Sequence, residues 1–118
     1  MTSNMAHIYK LLRSEEWAAF QAKGFFTGAS VDVKDGYIHF STAEQVRETA
    51  AKHFAGVDGL VLAEVDPRAL GAGLKWEPSR GGQLFPHLYS PMSLKAVVRT
   101  WPLSLGSDGL HLFPDALR

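Results

Sequence analysis

The sequence predicts an α+β fold with a mixed or largely antiparallel sheet. Candidate strands and helices follow the order β-α-β-α-β-β-β, with the strands gathered towards the carboxyl end, as in proteins of this class. The composition of 46% hydrophobic and 20% charged residues is typical of a folded globular chain. At 118 residues we expect a single domain over 1–118, with residues 1–5 disordered.

Strands are predicted where short apolar runs are bounded by turn residues. They cover 7–12, 37–40, 60–65, 74–77 and 94–101. Segment 25–36 is interpreted as a loop or ragged strand. Segment 78–92 is rich in glycine and proline and has no apolar period, so we expect a long irregular loop there. The tail after 101 is predicted to form a short hairpin or to lie over the surface.

Two main helices are predicted from capping residues and helical periodicity. Ser14, followed by two acidic residues, begins the first helix, which Gly24 ends. Ser41 and Glu44 have the spacing of a capping box and begin the second helix, which ends at Gly56.

Charge and cysteine usage exclude several classes of function. The formal net charge is zero, with twelve acidic and twelve basic side chains, so we expect no extended nucleic-acid partner. There is no cysteine, which excludes thiolate chemistry. No apolar run approaches the roughly 18 residues that span a bilayer, so we expect no membrane partner. The cytoplasm is therefore the default compartment.

The stretch "GYIHFSTAEQV" carries the first candidate chemistry. Because strand side chains alternate between faces, Ile38 and Phe40 are predicted core residues and His39 points the opposite way. A helix start follows, whose free N–H groups favour an anion or a polar ligand group, so Ser41 and Thr42 are candidate ligand-binding residues. In the alternative interpretation, His39 only bonds a backbone carbonyl and Ser41 is only a cap.

The stretch "KWEPSRGGQLFPHLYSP" carries the second candidate set. His87 and Glu77 are predicted catalytic groups, and Arg80 beside two glycines is a candidate phosphate ligand. Trp76 and Tyr89 could wall a stacking site for a flat ring. In the alternative interpretation the aromatic residues close the edge of the core, Arg80 pairs with an acid, and the glycines make a turn.

Metal and serine-nucleophile chemistry are weaker alternatives. His39, His87 and Glu77 could supply three metal ligands, which would make the chain a metal-dependent hydrolase. No His-x-His or His-x-x-x-His spacing supports this, so we predict no metal ligands. A Gly-x-Ser-x-Gly elbow is also absent from the sequence.

Five stretches of the sequence together resemble a small bacterial family, domain of unknown function 952. They are "IYKLL", "DGYIHFSTAEQV", "LVLAEVD", "LKWEPSRGG" and "FPHLYSP". The resemblance implies a fold similar to the ADP-ribosyltransferase catalytic domain, with a split, mostly antiparallel sheet and two main helices packed on it. More remotely, "YIHFST" resembles a strand of RNA 2′-phosphotransferases, in which His39 would take the place of the second strand histidine.

The resemblance implies a transferase acting on a nucleotide or an ADP-ribose-like substrate, with NAD as the cofactor to consider. Those enzymes carry His-Gly-Thr on the first strand, where this chain has Lys10-Leu11-Leu12. No cofactor is therefore firmly implied, and Glu77 is the stand-in for their late catalytic glutamate.

Two function classes follow from these observations. One is an enzyme that acts on a small nucleotide-like molecule in a pocket between the His39 strand and segment 77–89. The other is a ligand-binding or regulatory module without catalysis. The position of His39 relative to His87 distinguishes them, because only a shared pocket supports the enzyme.

Overall fold

The computed structural model of the protein describes residues 6–117, with the side chain of Arg80 excepted. The predicted disorder of residues 1–5 concerns residues outside this range. The α+β class is confirmed. Within the described residues the helices are α1 (Ser14–Lys23), α2 (Ser30–Asp35) and α3 (Val46–His53). The strands are β1 (Ile8–Leu12), β2 (Phe25–Phe26), β3 (Ile38–His39), β4 (Leu60–Val65), β5 (Leu74–Pro78), β6 (Leu84–Leu88), β7 (Met92–Ser93) and β8 (Val97–Leu103).

The strands form two three-stranded sheets and one two-stranded sheet. The first sheet has the order β1-β4-β8, the second has the order β3-β6-β5, and β2 pairs with β7. Each pairing among the described strands is antiparallel, so the sheet is not mixed. Ser41 connects the two larger sheets, because its backbone exchanges hydrogen bonds with Tyr9 of β1.

The core lies on both faces of the first sheet. On one face, Ile8 and Leu12 pack with residues from the second sheet, including Leu88. On the other face, helix α3 packs against β4 and β8 through Val46 and Ala50. Strands β1 and β4 contribute side chains to both faces, and their residues are almost all buried.

The predicted orientation of the His39 strand is confirmed. Ile38 and Phe40 are both buried in the core. His39 lies on the opposite face and keeps about a third of its side chain exposed (32%). This alternation is what a two-sided strand requires, and it puts the imidazole ring outside the apolar core.

The prediction of a long loop over 78–92 is wrong. Strands β5 and β6 form an antiparallel hairpin in which Glu77 pairs with Phe85, and residues 79–83 connect them. Gly81 and Gly82 both have positive φ angles, 69° and 78°, so the connection is a tight turn that suits glycine. Pro86 lies inside β6, where its lost N–H gave a false loop signal.

Two predictions about helices are corrected. Segment 25–36 contains the short helix α2, which ends at Gly36 in a left-handed conformation (φ 91°). The helix after β3 begins at Val46 and has no side-chain capping bond, so the predicted capping box of Ser41 and Glu44 is wrong. Thr42 and Gln45 instead bond each other in the turn that precedes the helix. The Thr42 amide donates to Gln45 Oε1 at 3.0 Å, and the Gln45 amide donates to Thr42 Oγ1 at 3.2 Å.

Within residues 6–117, none of the helices has the length and apolar character needed to cross a lipid bilayer.

Candidate functional site

His39 is held between two carboxylates from helix α2. Its Nδ1 atom lies 2.7 Å from Oδ1 of Asp32, and its Nε2 atom lies 2.9 Å from Oδ2 of Asp35. The backbone amide of His39 also donates to Asp32 Oδ1, at 3.1 Å. The Asp32 side chain is completely buried, whereas that of Asp35 is 40% exposed. The ring therefore has one inner and one outer acidic partner.

Asp32 forms a buried ion pair with Lys10 of strand β1. The Lys10 ammonium donates to both carboxylate oxygens, at 3.0 and 3.2 Å, and also to the backbone carbonyl of His39 at 2.9 Å. Burial alone would raise the pKa of Asp32, but the hydrogen bond from His39 and the charge of Lys10 lower that pKa to about 2. Burial lowers the pKa of Lys10, and Asp32 opposes that shift. Each partner keeps the other charged in a site from which water is excluded.

His87 has a similar partner in the neighbouring strand. Its Nδ1 atom lies 2.7 Å from Oε1 of Glu77, and the hydroxyl of Tyr89 donates to the same oxygen at 2.8 Å. The hydrogen bonds from His87 and Tyr89 lower the pKa of Glu77. The bond to Glu77 raises the pKa of Tyr89 to about 12, because ionisation of the phenol would place two negative charges side by side.

The two histidines are directly opposite each other in the pairing of β3 with β6. Their ring centroids are 5.5 Å apart in an edge-to-face arrangement. Tyr37 stacks on His87 at 4.1 Å and also contacts His39 and Tyr89, with centroids 4.6 and 5.2 Å away. We call Tyr37, His39, His87, Tyr89 and their acidic partners Asp32, Asp35 and Glu77 the histidine cluster.

An open cleft of about 270 Å³ adjoins the histidine cluster. Asp32, Tyr37 and Tyr89 line it, together with other residues of α2, of the end of β6 and of the segments that flank them. The side chain of Tyr89 is exposed, so an aromatic face is accessible beside the cleft. This combination of an aromatic wall and a few polar groups is common in small-ligand sites.

The structure brings together four of the predicted site residues and separates the others. The histidine cluster contains His39, His87, Glu77 and Tyr89. Their catalytic or binding roles stay predictions. Ser41 is buried and its hydroxyl bonds to that of Thr49 at 3.0 Å, so it does not face the cluster. The side chain of Arg80 lies outside the part of the chain that the structure describes.

Trp76 and Thr42 belong to a different place on the molecule. Trp76 pairs with Pro86 in the hairpin and therefore points to the face opposite Glu77. Together with Thr42, it lines a second, mostly apolar cleft of about 390 Å³ that also includes His7 and Pro67. The prediction that Trp76 walls the same pocket as Tyr89 is wrong.

Sequence reasoning missed Lys10, Asp32 and Asp35. A signal for Lys10 was available, because a charged residue between apolar neighbours in a buried strand requires a partner. All five residues of β1 are buried, Lys10 included. No comparable signal marked Asp32, since α2 has only six residues and its two valines are exposed.

The comparisons with known proteins agree with this fold. Residues 11–100 match a protein family described as "Protein of unknown function (DUF952)". The chain belongs to this family. The DUF952 match includes both histidines of the cluster, together with Asp32 and Glu77. No curated protein matches the chain.

Two solved structures of protein CC0527 from Caulobacter crescentus are similar to this DUF952 protein. The crystal structure has 49% sequence identity and a TM-score of 0.91, and covers 95% of this chain and 98% of that chain. The solution NMR structure has 51% identity and a TM-score of 0.80, with 90% and 91% covered. Their descriptions give no activity that could be transferred.

The arrangement is suited to proton transfer rather than to metal binding. Each imidazole bonds a carboxylate through Nδ1, which orients the ring and leaves Nε2 as the atom for a second partner. Among residues 6–117, no three side chains of the His, Asp and Glu type are placed to hold a metal ion together. His39 is the more accessible of the two rings, because His87 is 96% buried beneath Tyr37.

Proposed function

We propose that the histidine cluster binds a small nucleotide-like or ADP-ribose-like molecule and that His39 transfers a proton to or from it. The observation that carries this proposal is the pair of imidazoles 5.5 Å apart, each oriented by a carboxylate 2.7 Å from Nδ1. An imidazole oriented in this way can serve as a general acid or base, and His39 is the ring of the pair that a ligand can reach. Tyr37 and Tyr89 offer aromatic faces for a base or another flat ring.

An ADP-ribosyltransferase-like fold is part of the proposal. The division into two three-stranded antiparallel sheets, joined at Ser41, supports it. So does the position of His39 on the strand that runs beside that junction. The remote similarity to RNA 2′-phosphotransferases points to the same substrate class. We further propose that the chain is a single domain acting in the cytoplasm on a small molecule.

NAD is not the ligand that we favour. Lys10 stands on the first strand, where the related enzymes carry a histidine that grips the cofactor. In this protein the Lys10 ammonium is directed at Asp32 and at the carbonyl of His39, and only 7% of its side chain is exposed. A ligand could not reach Lys10 without breaking that ion pair.

A non-catalytic binding or regulatory module is the second candidate. The observation in its favour is that groups of the protein itself already cover both rings. Asp35 occupies Nε2 of His39, and Tyr37 covers His87. In such a module the ligand would bind beside the cluster and no proton would be transferred.

Ligand-induced stabilisation tests the proposal. Melting temperature is measured against increasing ADP-ribose, AMP and NAD, for the wild type, for His39→Ala and for the matched control His53→Ala at the exposed end of α3. A true ligand at one hundred times its dissociation constant adds about 2.7 kcal/mol to stability. We expect ADP-ribose or AMP to raise the melting temperature of the wild type and of His53→Ala, but not that of His39→Ala.

The outcome also separates the two candidates. An equal response in His39→Ala and the wild type, or no response to any of the three compounds, would contradict a nucleotide site at the cluster. Where binding is seen, product formation is followed by chromatography after prolonged incubation. A bound compound recovered unchanged favours the non-catalytic module.

A further inference from the structure

The buried pair of Lys10 and Asp32 is the feature that the proposed function leaves unexplained. Both side chains are almost completely removed from water, at 7% and 0% exposure. Taking two charges out of water costs several kcal/mol per ion, and apolar residues of similar size are often as stable or more stable. The pair is therefore poorly explained as a device for stability alone.

The contacts of Asp32 converge on His39. Its Oδ1 atom accepts from both the backbone amide and Nδ1 of that residue, at 3.1 and 2.7 Å. Its Oδ2 atom accepts from the Ala29 amide at 2.8 Å and from Lys10 at 3.0 Å. Lys10 additionally donates to the His39 carbonyl. Lys10 thus holds both the Asp32 carboxylate and the backbone of His39, which is the residue that Asp32 orients.

We infer that Asp32, anchored by Lys10, is the positioning residue of His39, keeping a hydrogen on Nδ1 so that Nε2 is the proton-transferring atom. This inference deepens the proposed function, on which it rests for the identity of the reacting group.

The chemistry of the acceptor supports this assignment. Both carboxylates can only accept hydrogen bonds, so a neutral ring, which has one hydrogen, donates to only one of them. The contact of Nδ1 with the fully buried Asp32 is the shorter, at 2.7 Å against 2.9 Å from Nε2 to the exposed Asp35. We therefore expect the hydrogen of the neutral ring on Nδ1 and the lone pair of a base on Nε2. When the ring is protonated, Nε2 donates to Asp35, which is the outer, exposed acceptor. A ligand oxygen that displaces Asp35 would meet that same atom.

Replacement of the carboxylate by an amide should reverse this arrangement. The Asn amide nitrogen can donate to Nδ1, and the neutral ring then carries its hydrogen on Nε2, a change known to leave a histidine in the wrong tautomer. Removal of Lys10 alone leaves the carboxylate in place and should not reverse the ring. The two partners of the ion pair thus have different expected effects on His39.

The experiment is ¹⁵N NMR of the histidine side chains in the ligand-free protein, at a pH where the rings are neutral. The signals of His39, one of five histidines, are assigned by their loss in His39→Ala. We expect Nδ1 to be the protonated nitrogen in the wild type and in Lys10→Met. In Asp32→Asn, and in the double variant Lys10→Met/Asp32→Leu, which leaves Asp35 as the carboxylate beside the ring, we expect the protonated nitrogen to be Nε2.

The double variant keeps the test valid if Asp32→Asn alone unfolds, because it removes both buried charges together. Glu77→Gln is the matched control, since it changes the carboxylate on His87 and should leave the His39 signals unchanged. A wild-type ring protonated on Nε2 would overturn the inference, as would a folded double variant that keeps the wild-type pattern. No ligand is added, so failure of the nucleotide proposal and failure of this inference give separate results.

Discussion

The free energy of unfolding should fall at acid pH as Asp32 becomes protonated. Its pKa is about 2 in the folded protein and has the ordinary value of 3.8 when the chain is unfolded. Each pKa unit corresponds to about 1.4 kcal/mol, so the carboxylate contributes about 2–3 kcal/mol of stability when ionised. The side chain is fully buried, so screening by solvent does not reduce this figure. Because the folded pKa is depressed, the contribution is present above pH 4 and is lost as the pH falls through 2.

Asp32→Asn removes this contribution. The difference in free energy of unfolding between the variant and the wild type therefore separates the effect of Asp32 from that of the other carboxylates. At pH 5 the variant should be about 3–5 kcal/mol less stable than the wild type, because Lys10 is left buried without its partner. Between pH 5 and pH 2 that difference should shrink by about 2 kcal/mol. Urea unfolding followed by tryptophan fluorescence measures the free energy at each pH. Glu44→Gln, at an exposed carboxylate, is the control and should keep the wild-type curve.

A constant difference between Asp32→Asn and the wild type across this pH range would refute the reasoning. It would mean that the carboxylate is not held ionised by Lys10 and His39. A difference that grows as the pH falls would be an equally clear contradiction, since it requires a raised rather than a lowered pKa.

Three further outcomes are expected. Phe40→Ala should cost about 3–5 kcal/mol in urea unfolding, as for a large buried aromatic residue, and a loss below about 1 kcal/mol would show that the strand face is misassigned. Glu77→Gln should lower the titration midpoint of Tyr89 from about 12 towards 10, followed by tyrosinate absorbance after subtraction of the titration of Tyr89→Phe; an unchanged midpoint would rule out the hydrogen bond to Glu77. Thr42→Ala should cost about 1 kcal/mol by loss of the side-chain hydrogen bond that closes the turn before α3, and a stability equal to that of the wild type would show that this bond contributes nothing.

The alternation of side chains along a strand explains most of what the sequence predicts correctly about the site. The pattern "YIHF" is sufficient to place Ile38 and Phe40 in the core and His39 outside it, because the period of a strand is two residues. The same rule applied to 74–77 would have placed Trp76 and Glu77 on opposite faces. That segment was predicted as a strand, so the error about Trp76 could have been avoided from the sequence alone.

The remainder depended on contacts between distant parts of the chain. His87 lies opposite His39 only because β3 pairs with β6 in one register, and Pro86 concealed that strand. Lys10 and Asp32 are 22 residues apart, and nothing local to either residue names the other. The orientation of His39 by Asp32 is therefore a property of the tertiary structure.

The backbone from Ile38 to Ser41 is shared by two sheets. Its first part pairs with β6, and the Phe40 amide donates to the Pro86 carbonyl at 3.0 Å; at Ser41 the same strand exchanges bonds with Tyr9. His39 thus lies where the two larger sheets meet, and Lys10 of β1 bonds across this junction to the His39 carbonyl. If the two sheets separate transiently, these amides open together and the imidazole loses its orientation at the same moment. Amide hydrogen exchange of Tyr9, Phe40 and Ser41 should consequently proceed at one common rate, which would report how often the site is disassembled in the native protein.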